Sequence, residues 1–151
     1  VKELLFIHSH MSAYDEGGVI RAKQLEILNS VMEEEYQAGN YVIVGGDFNH
    51  ALGEEVAEGF PSKQRFPAWV SVLTQKEMAE GITMVRAKNE LDVPTCRGAD
   101  MPYEEGVTYT VIVDGFLVSD NVSAEAENLD EGFLYSDHNP VVMEFVLEGE
   151  P

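Results

Sequence analysis

Four polar groups stand where apolar segments of the sequence end or are interrupted. They are residues 8–10 (His-Ser-His), residues 46–50 (Gly-Asp-Phe-Asn-His), Asp114, and residues 136–140 (Ser-Asp-His-Asn-Pro). In α/β sheets, ligands bind at the ends of strands. Four such groups in one short chain therefore predict one shared site.

The second of these groups places a carboxylate and an amide two residues apart. In an extended segment, Asp47 and Asn49 leave the same face, while Phe48 points into the core. A carboxylate beside an amide suits a water nucleophile and a phosphate or a metal-bound oxygen. For this segment alone, a simple turn after a strand is an equally good interpretation.

The last group pairs a carboxylate with an imidazole. Asp137 and His138 are adjacent, and Asn139-Pro140 follows them. Proline is tolerated at the first residue of a strand, so we place the pair in the loop before a final strand. A hard oxygen ligand beside a titrating imidazole suits acid–base chemistry and metal binding.

The remaining candidates are a lone carboxylate and two histidines. Asp114 lies within an apolar run, and a buried charge is costly without a partner. We therefore expect a functional partner for Asp114, with the capping of a bulge as the alternative. His8 and His10 point to the same side of a strand, and an ordinary hydrogen-bonded role is favoured for His8.

The first third of the chain has the pattern of a strand, a helix and a second strand. Residues 3–11 form an apolar run with aromatic and β-branched members that ends in the polar residues 8–10, and residues 41–46 are a second short apolar run. Between them, residues 19–38 carry apolar side chains at three- and four-residue spacing, which predicts an amphipathic helix whose apolar face Ile20, Ile27 and Val31 widen. This unit is typical of a buried parallel or mixed sheet.

The rest of the chain predicts a long loop, a short helix and four further strands. The loop covers residues 47–66, and long loops in compact domains are often functional. The predicted helix covers 68–78, a turn-rich segment covers 98–106, and the predicted strands are 82–86, 109–119, 122–127 and 141–147. The fold class is therefore α/β or α+β.

Composition limits the function classes. The chain has 151 residues and a net charge of −19, with a pI near 4.3. This charge argues against non-specific binding to nucleic acid or anionic lipid, so phosphate chemistry would need a cation. After Arg97 there are 13 acidic residues and no Lys or Arg. These form either a solvated acidic face or, in part, a site for a divalent cation.

The order of the four groups resembles a known family. The chain looks like the second half of the endonuclease/exonuclease/phosphatase superfamily, whose members are deoxyribonuclease-like metal-dependent phosphoesterases. The motifs that carry this resemblance are His-Ser-His-Met, Gly-Gly-Asp-Phe-Asn, Ile-Val-Asp-Gly and Ser-Asp-His-Asn-Pro-Val. The resemblance extends from Leu5 to Phe145. It implies hydrolysis of phosphodiester or phosphomonoester bonds by an activated water.

The resemblance also implies roles for five residues. His10 would contact the scissile phosphate or assist the leaving group. Asp47 would orient or deprotonate the attacking water, and Asn49 would hold the phosphate. His138 would be the catalytic histidine, with Asp114 as the carboxylate that pairs with it.

The implied cofactor is Mg²⁺ or Mn²⁺, with Asp137 and Asp47 as its candidate ligands. Two departures from the family pattern bear on activity. His8 stands where the family has an amide, and the asparagine and metal-binding glutamate of the family's first half have no counterpart here. Residues 1–151 are thus expected to be the C-terminal half of such a domain, with very low activity alone. Compartment is unknown.

The implied fold is half of a four-layer α/β/β/α sandwich, with one mixed sheet and helices on one face. Its other sheet face would be apolar and uncovered, as at interfaces. We expect that face to bind the missing half or a second copy. The expected substrate is a phosphate ester of a nucleic acid, a phospholipid or a small molecule. The alternative is a non-catalytic fragment that retains the motifs and serves in interaction with another protein or in self-association.

Overall fold

A computed structural model describes residues 1–149, so residues 150 and 151 of the expected unit lie outside the described part. It begins with strand β1 (Leu4–His10), helix α1 (Val19–Gln37) and strand β2 (Tyr41–Asp47). β1 and β2 pair in parallel, with α1 as the crossover between them. The predicted strand–helix–strand unit is confirmed within one or two residues at each end.

Eight further strands follow. They are β3 (Ala51–Leu52), β4 (Val72–Leu73), β5 (Ile82–Val85), β6 (Cys96–Arg97), β7 (Thr110–Val111), β8 (Asp114–Ser119), β9 (Val122–Asn128) and β10 (Val141–Leu147).

The main sheet is mixed. Its strand order is β1-β2-β8-β5, with β8 antiparallel to both β2 and β5. β9 and β10 form an antiparallel pair, β3 and β4 a short parallel pair, and β6 and β7 a short antiparallel pair. The predicted class, α/β with one mixed sheet and its helix on one face, is confirmed.

The core on the helix side joins α1 to the sheet. Met32 of α1 and Val42, Val44 and Leu117 of the central strands are fully buried there. Leu25 and Leu28 pack against the same cluster, as do Ile7 of β1 and several other side chains. Burial of this apolar stripe holds the helix on the sheet.

The apolar face of α1 is narrower than the sequence predicts. Ile20, Ile27 and Val31 were expected to widen the buried face, but all three are exposed. A single helix on a sheet buries only the stripe that faces the strands. The largest side chain that is fully buried within the described residues is a charged one, Arg21.

Two predictions in the middle of the chain are wrong. Residues 68–78 do not form a helix; they contain β4 and a single 3₁₀ turn, Gln75–Glu77. Thr74 and Glu77 form a capping box around that turn. The predicted loop 47–66 also contains β3 and a second 3₁₀ turn, Glu54–Val56.

The predicted strand 109–119 is divided into β7 and β8. At the break, the Val113 N–H donates to the Thr95 hydroxyl at 3.0 Å, and the Val113 carbonyl accepts from the Phe48 N–H at 2.9 Å. These bonds replace the sheet ladder locally. They join the segment after β2 to the segment before β6.

The face of the sheet opposite α1 carries exposed apolar side chains. Phe6 alternates with Ile7 along β1, so it points away from the helix, and it is 57% exposed. Phe145 shares a face with Met143, which packs with Tyr41 and Ile43 on this same side. Phe145 is also exposed.

No helix within residues 1–149 is long and apolar enough to span a membrane.

Candidate active site

Strand register brings three of the predicted residues together. In the parallel pair of β1 and β2, His10 lies opposite Asp47. In the antiparallel pair of β2 and β8, Asp47 lies opposite Asp114. Three neighbouring strands therefore end in ionisable side chains at the same edge of the sheet.

The loop before β10 adds His138 to this group. Its Nδ1 lies 2.8 Å from Asp114 Oδ2, and its Nε2 lies 3.9 Å from Asp47 Oδ2. On the other side of Asp47, His10 Nε2 is 3.5 Å from the same carboxylate oxygen. His138 is thus held through one ring nitrogen, and its second nitrogen faces Asp47.

Backbone pairing fixes the loop that carries His138. His138 forms an antiparallel bridge with Cys96, and the Asn139 N–H donates to the Thr95 carbonyl at 2.8 Å. The buried Asn139 side chain donates to the Pro94 carbonyl at 2.9 Å. The imidazole is therefore positioned by β6 and the residues before it.

The charges of the group shift two pKa values. The hydrogen bond to Asp114 raises the pKa of His138 to about 11, which favours the imidazolium form. Burial raises the pKa of Asp47, and the nearby charge of Asp114 acts in the same direction. The Asn49 N–H and the two histidines oppose this shift. Asp47 is consequently a stronger base than an ordinary aspartate.

Asn49 is close to Asp47 but largely buried. Its backbone N–H donates to Asp47 Oδ1 at 2.7 Å, and its side-chain amide donates to the Met11 carbonyl at 2.8 Å. Its φ is 47°, in the left-handed region that asparagine tolerates better than most residues. Asn49 therefore fixes the turn after β2 and orients the Asp47 carboxylate.

A buried arginine, which no sequence pattern distinguishes, supports this turn. Arg21 of α1 donates to the Asn49 carbonyl through Nη1, and through Nη2 to the carbonyls of Asp15 (3.1 Å) and Trp69 (3.0 Å). The Asp15 carboxylate accepts from the Arg21 N–H at 2.8 Å. One guanidinium thus connects the helix to three segments that surround the site.

The other two predicted positions lie differently. Asp137 lines the same cleft as Asp47 and His138. His8 lies on the uncovered sheet face beside Phe6.

Among residues 1–149, the donor atoms of Asp47, Asp114 and His138 lie within 4.8 Å of one another, and this is the group whose spacing suits a metal ion. The hydrogen bond between His138 and Asp114 occupies one donor of each. Mg²⁺ and Mn²⁺ prefer carboxylate oxygens, which Asp47 and Asp114 offer within this group, while Asp137 lines the same cleft but is not one of the three members. The residues present therefore fit a hard divalent cation.

Comparisons with known proteins identify the fold. The sequence matches no family model and none of the curated proteins. Solved structures are similar to the chain in fold, among them one from D. rerio and two from Bacteroides thetaiotaomicron. TDP2 of D. rerio, complexed with single strand DNA product, has a TM-score of 0.58 and 17% identity, over 94% of this chain and 55% of that one.

Two Bacteroides thetaiotaomicron structures are also similar. Mannosyl-6-phosphatase Bt3783 has a TM-score of 0.53 and 20% identity, over 95% of this chain and 51% of that one. An endonuclease/exonuclease/phosphatase family protein has a TM-score of 0.51 and 19% identity, over 95% and 49%. This chain spans about half the length of these structures. It has the fold of the endonuclease/exonuclease/phosphatase superfamily, as its four motifs predicted.

Proposed function

We propose that the chain carries the catalytic group of a divalent-metal-dependent phosphoester hydrolase. The observation that carries this proposal is the arrangement of Asp47, His138 and Asp114, in which a carboxylate with a raised pKa faces a histidine held by a second carboxylate. The similar structures include a phosphatase and an enzyme crystallised with a DNA product, which supports phosphoester hydrolysis.

In this mechanism Asp47 orients the attacking water and accepts its proton. The Asn49 N–H holds one carboxylate oxygen of Asp47, so the other oxygen is directed toward the water. The His138 imidazolium, kept charged by Asp114, stabilises the negative charge that develops on the phosphoryl oxygens. His10, on the far side of Asp47, assists the leaving group.

The metal is Mg²⁺ or Mn²⁺, with Asp137 and Asp47 as the ligands that this chain supplies. When bound, it neutralises charge on the phosphate. Charge neutralisation by the metal is important for this chain, because its net charge of −19 repels an anionic substrate.

The uncovered sheet face bears on how the active protein is assembled. We infer that either the remainder of a longer protein or a second copy of the chain covers Phe6 and Phe145. The chain alone then turns over substrate slowly. A non-catalytic, self-associating fragment is the second candidate, and the same exposed face supports it.

Hydrolysis of bis(p-nitrophenyl) phosphate by the full-length protein with Mg²⁺ tests the proposal. We expect Asp47→Asn and His138→Gln each to lower the rate about 10²- to 10⁴-fold, the usual contribution of acid–base groups. His8→Gln, which removes a histidine outside the catalytic group, is the matched control. Equal rates for wild type, His138→Gln and His8→Gln would exclude a role for His138.

Metal binding can be tested on the chain itself. Calorimetric titration with Mg²⁺ and with Mn²⁺ should show weak binding that falls in Asp137→Asn, because one of few carboxylate ligands is lost. Asp130→Asn removes a nearby carboxylate of the same acidic segment without altering the cleft. Unchanged affinity in Asp137→Asn would remove Asp137 from the metal site.

A further inference from the structure

The cleft that contains the catalytic group continues into a second region with different chemistry. Its wall there is formed by aromatic and basic side chains, chiefly Tyr14, Arg65, Phe66, Trp69 and Arg97. Tyr14 is 85% exposed and Phe66 is 49% exposed, although both are large side chains that folding usually buries at least in part. We call this region the aromatic subsite.

The charges of the aromatic subsite are unusual for this chain. Of the four arginines, Arg21 and Arg86 have carboxylate partners. Within the described part of the chain, Arg65 and Arg97 have none: Arg97 donates only to the Gly98 and Met101 carbonyls, at 2.9 and 3.2 Å. In a chain with 28 acidic residues, both arginines without a carboxylate thus line the cleft of the catalytic group.

The segment that carries Arg65 and Phe66 is anchored on both sides. Before it, the Gln64 side chain accepts from the Tyr109 N–H at 2.6 Å and donates to Asp100 at 3.2 Å. After it, the Trp69 carbonyl accepts from the buried Arg21 guanidinium. Phe66 itself makes an edge contact with Tyr109, with ring centroids 5.8 Å apart.

These anchors lower the entropic cost of binding, because the wall of the subsite is already ordered before a ligand arrives. An exposed aromatic face beside an unpaired guanidinium is the chemistry that recognises nucleotides. Bases stack on aromatic rings and on guanidinium planes, and phosphates pair with arginine. A bare phosphate would leave the rings of Tyr14 and Phe66 unused, and an uncharged ring compound would leave Arg65 unpaired.

We propose that the aromatic subsite binds the base and sugar end of a nucleotide, so that the substrate is a nucleotide phosphoester. Its base stacks against Phe66 and Tyr14, and Arg65 supplies positive charge along the path to the catalytic group. The assignment of the scissile phosphate to Asp47 and His138 rests on the function proposed above. Binding of a ligand at the subsite itself can be measured without turnover.

Trp69 is the single tryptophan of the chain, so its fluorescence reports on the subsite directly. The test is a titration of the chain, in buffer with Mg²⁺, with AMP, ribose 5-phosphate and adenosine. We expect AMP to bind at least about fivefold more tightly than ribose 5-phosphate, which is the lower end of what base stacking contributes. AMP should also bind more tightly than adenosine, because only AMP has a phosphate that pairs with Arg65. Equal affinity for AMP and ribose 5-phosphate, or no response to AMP, would overturn the proposal.

Two variants separate the contributions. Phe66→Leu keeps apolar bulk but removes the aromatic face, so the preference for AMP over ribose 5-phosphate should fall. Arg65→Gln should weaken both phosphate-containing ligands and leave adenosine unchanged. Phe6→Leu and Lys23→Gln, which lie outside the cleft, are the matched controls. If Phe66→Leu and Phe6→Leu have the same effect, Phe66 does not form a base site.

Failure of the proposed nucleotide subsite can be distinguished from failure of the proposed hydrolase function. If AMP is preferred but the full-length protein hydrolyses no phosphoester, the subsite stands and the hydrolase proposal fails. If phosphoesters are hydrolysed but the chain does not bind AMP more tightly than ribose 5-phosphate, the hydrolase proposal stands and the proposal of a nucleotide subsite fails.

Discussion

At the residue level, Arg21 connects helix α1 to the candidate active site. Its guanidinium donates to backbone carbonyls of the segments at Asp15, Asn49 and Trp69 while it is almost fully buried. A buried charge is tolerated only with such partners. Arg21 is therefore a positioning residue, which acts on Asp47 through the turn at Asn49.

We expect Arg21→Met to destabilise the fold by about 3–5 kcal/mol, because the buried Asp15 carboxylate would lose the guanidinium 3.8 Å away and three carbonyls would lose their donor. Arg21→Lys keeps the charge but cannot reach three carbonyls at once. In the full-length protein, Arg21→Lys should therefore lower kcat for phosphoester hydrolysis more than it changes KM. Urea unfolding and steady-state kinetics measure the two effects. Wild-type kcat in Arg21→Lys would show that the guanidinium has only a structural role.

His50 gives a prediction for the pH dependence of stability. It is buried, and its Nδ1 lies 2.7 Å from the Phe48 carbonyl. Burial lowers its pKa, and the charge of Arg21 acts in the same direction, while Asp15, Glu77 and the bond to Phe48 oppose the shift. Because the folded state prefers the neutral ring, this contribution to stability is complete above the unfolded pKa of about 6.5 and is lost as pH falls below it.

We expect His50→Gln to lose less stability than wild type between about pH 7.5 and pH 5.5, the interval that contains the unfolded histidine pKa. Urea unfolding at both pH values measures this difference. His8→Gln, at an exposed position, is the matched control. It keeps every carboxylate of the wild type, so the effect of the carboxylates on the pH dependence of stability is the same in both proteins. The same pH dependence in His50→Gln and wild type would contradict a neutral buried His50.

The order of the polar groups, and not any one residue type, allowed prediction of the candidate site. Asp47, Asp114 and His138 were chosen because four polar groups end or interrupt apolar segments in the order of the family motifs that they resemble. Arg21 could not be predicted, since an arginine within an amphipathic helix is usually solvated. Only the fold shows that three loop carbonyls meet above it. The arginines and aromatics of the cleft were missed for a similar reason, because residues 64–69 carry no apolar period.

At the level of elements, the close pairing of β1 and β2 requires a glycine just before Asp47. Gly46 has a φ of 151°, and a Cβ there would lie 1.8 Å from the Ser9 carbonyl oxygen. No side-chain rotation relieves a clash with backbone. The Gly-Gly-Asp sequence therefore sets how closely the strand of His10 approaches the strand of Asp47.

We expect Gly46→Ala to destabilise the fold by about 3 kcal/mol or more, through the backbone clash together with strain at this φ. Gly149→Ala, where nothing lies within 4 Å of the new Cβ, should be neutral. Thermal or urea unfolding of both variants measures the difference. A Gly46→Ala protein as stable as Gly149→Ala would mean that β1 and β2 do not approach as closely as described.

Element predictions succeeded where the apolar period was long and failed where turns decide. β1, α1, β2, β9 and β10, which are each seven or more residues long, follow from regular apolar patterns. Residues 68–78 carry apolar side chains at helical spacing, but β-branched residues at 70–74 and the Thr74 cap favour a short strand and a turn. The break at Val113 depends on hydrogen bonds to Thr95 and Phe48, which are distant in sequence.

At the level of the whole molecule, the sheet face opposite α1 and the net charge act against each other. The exposed Phe6 and Phe145 favour association, and the charge of −19 opposes it. Salt screens charge repulsion, with a Debye length of about 10 Å at 0.1 M. Association through this face should consequently strengthen as salt concentration rises.

We expect sedimentation of the chain to show a weight-average mass that rises with protein concentration and with salt. Phe6→Glu should reduce this association. Ile27→Glu changes an exposed apolar position on α1, on the other side of the sheet, and should leave it unchanged. A compact, stable monomer at high concentration and high salt would contradict association through the sheet face.

In the proposed mechanism, water activated at Asp47 attacks phosphorus. The most direct measurement is mass spectrometry of the phosphate-containing product after hydrolysis of a phosphodiester by the full-length protein in ¹⁸O-labelled water with Mg²⁺. We predict one ¹⁸O per turnover in the phosphate group, at a rate that falls to background in Asp47→Asn. Incorporation of ¹⁸O into the alcohol product instead, or an undiminished rate in Asp47→Asn, would contradict the mechanism.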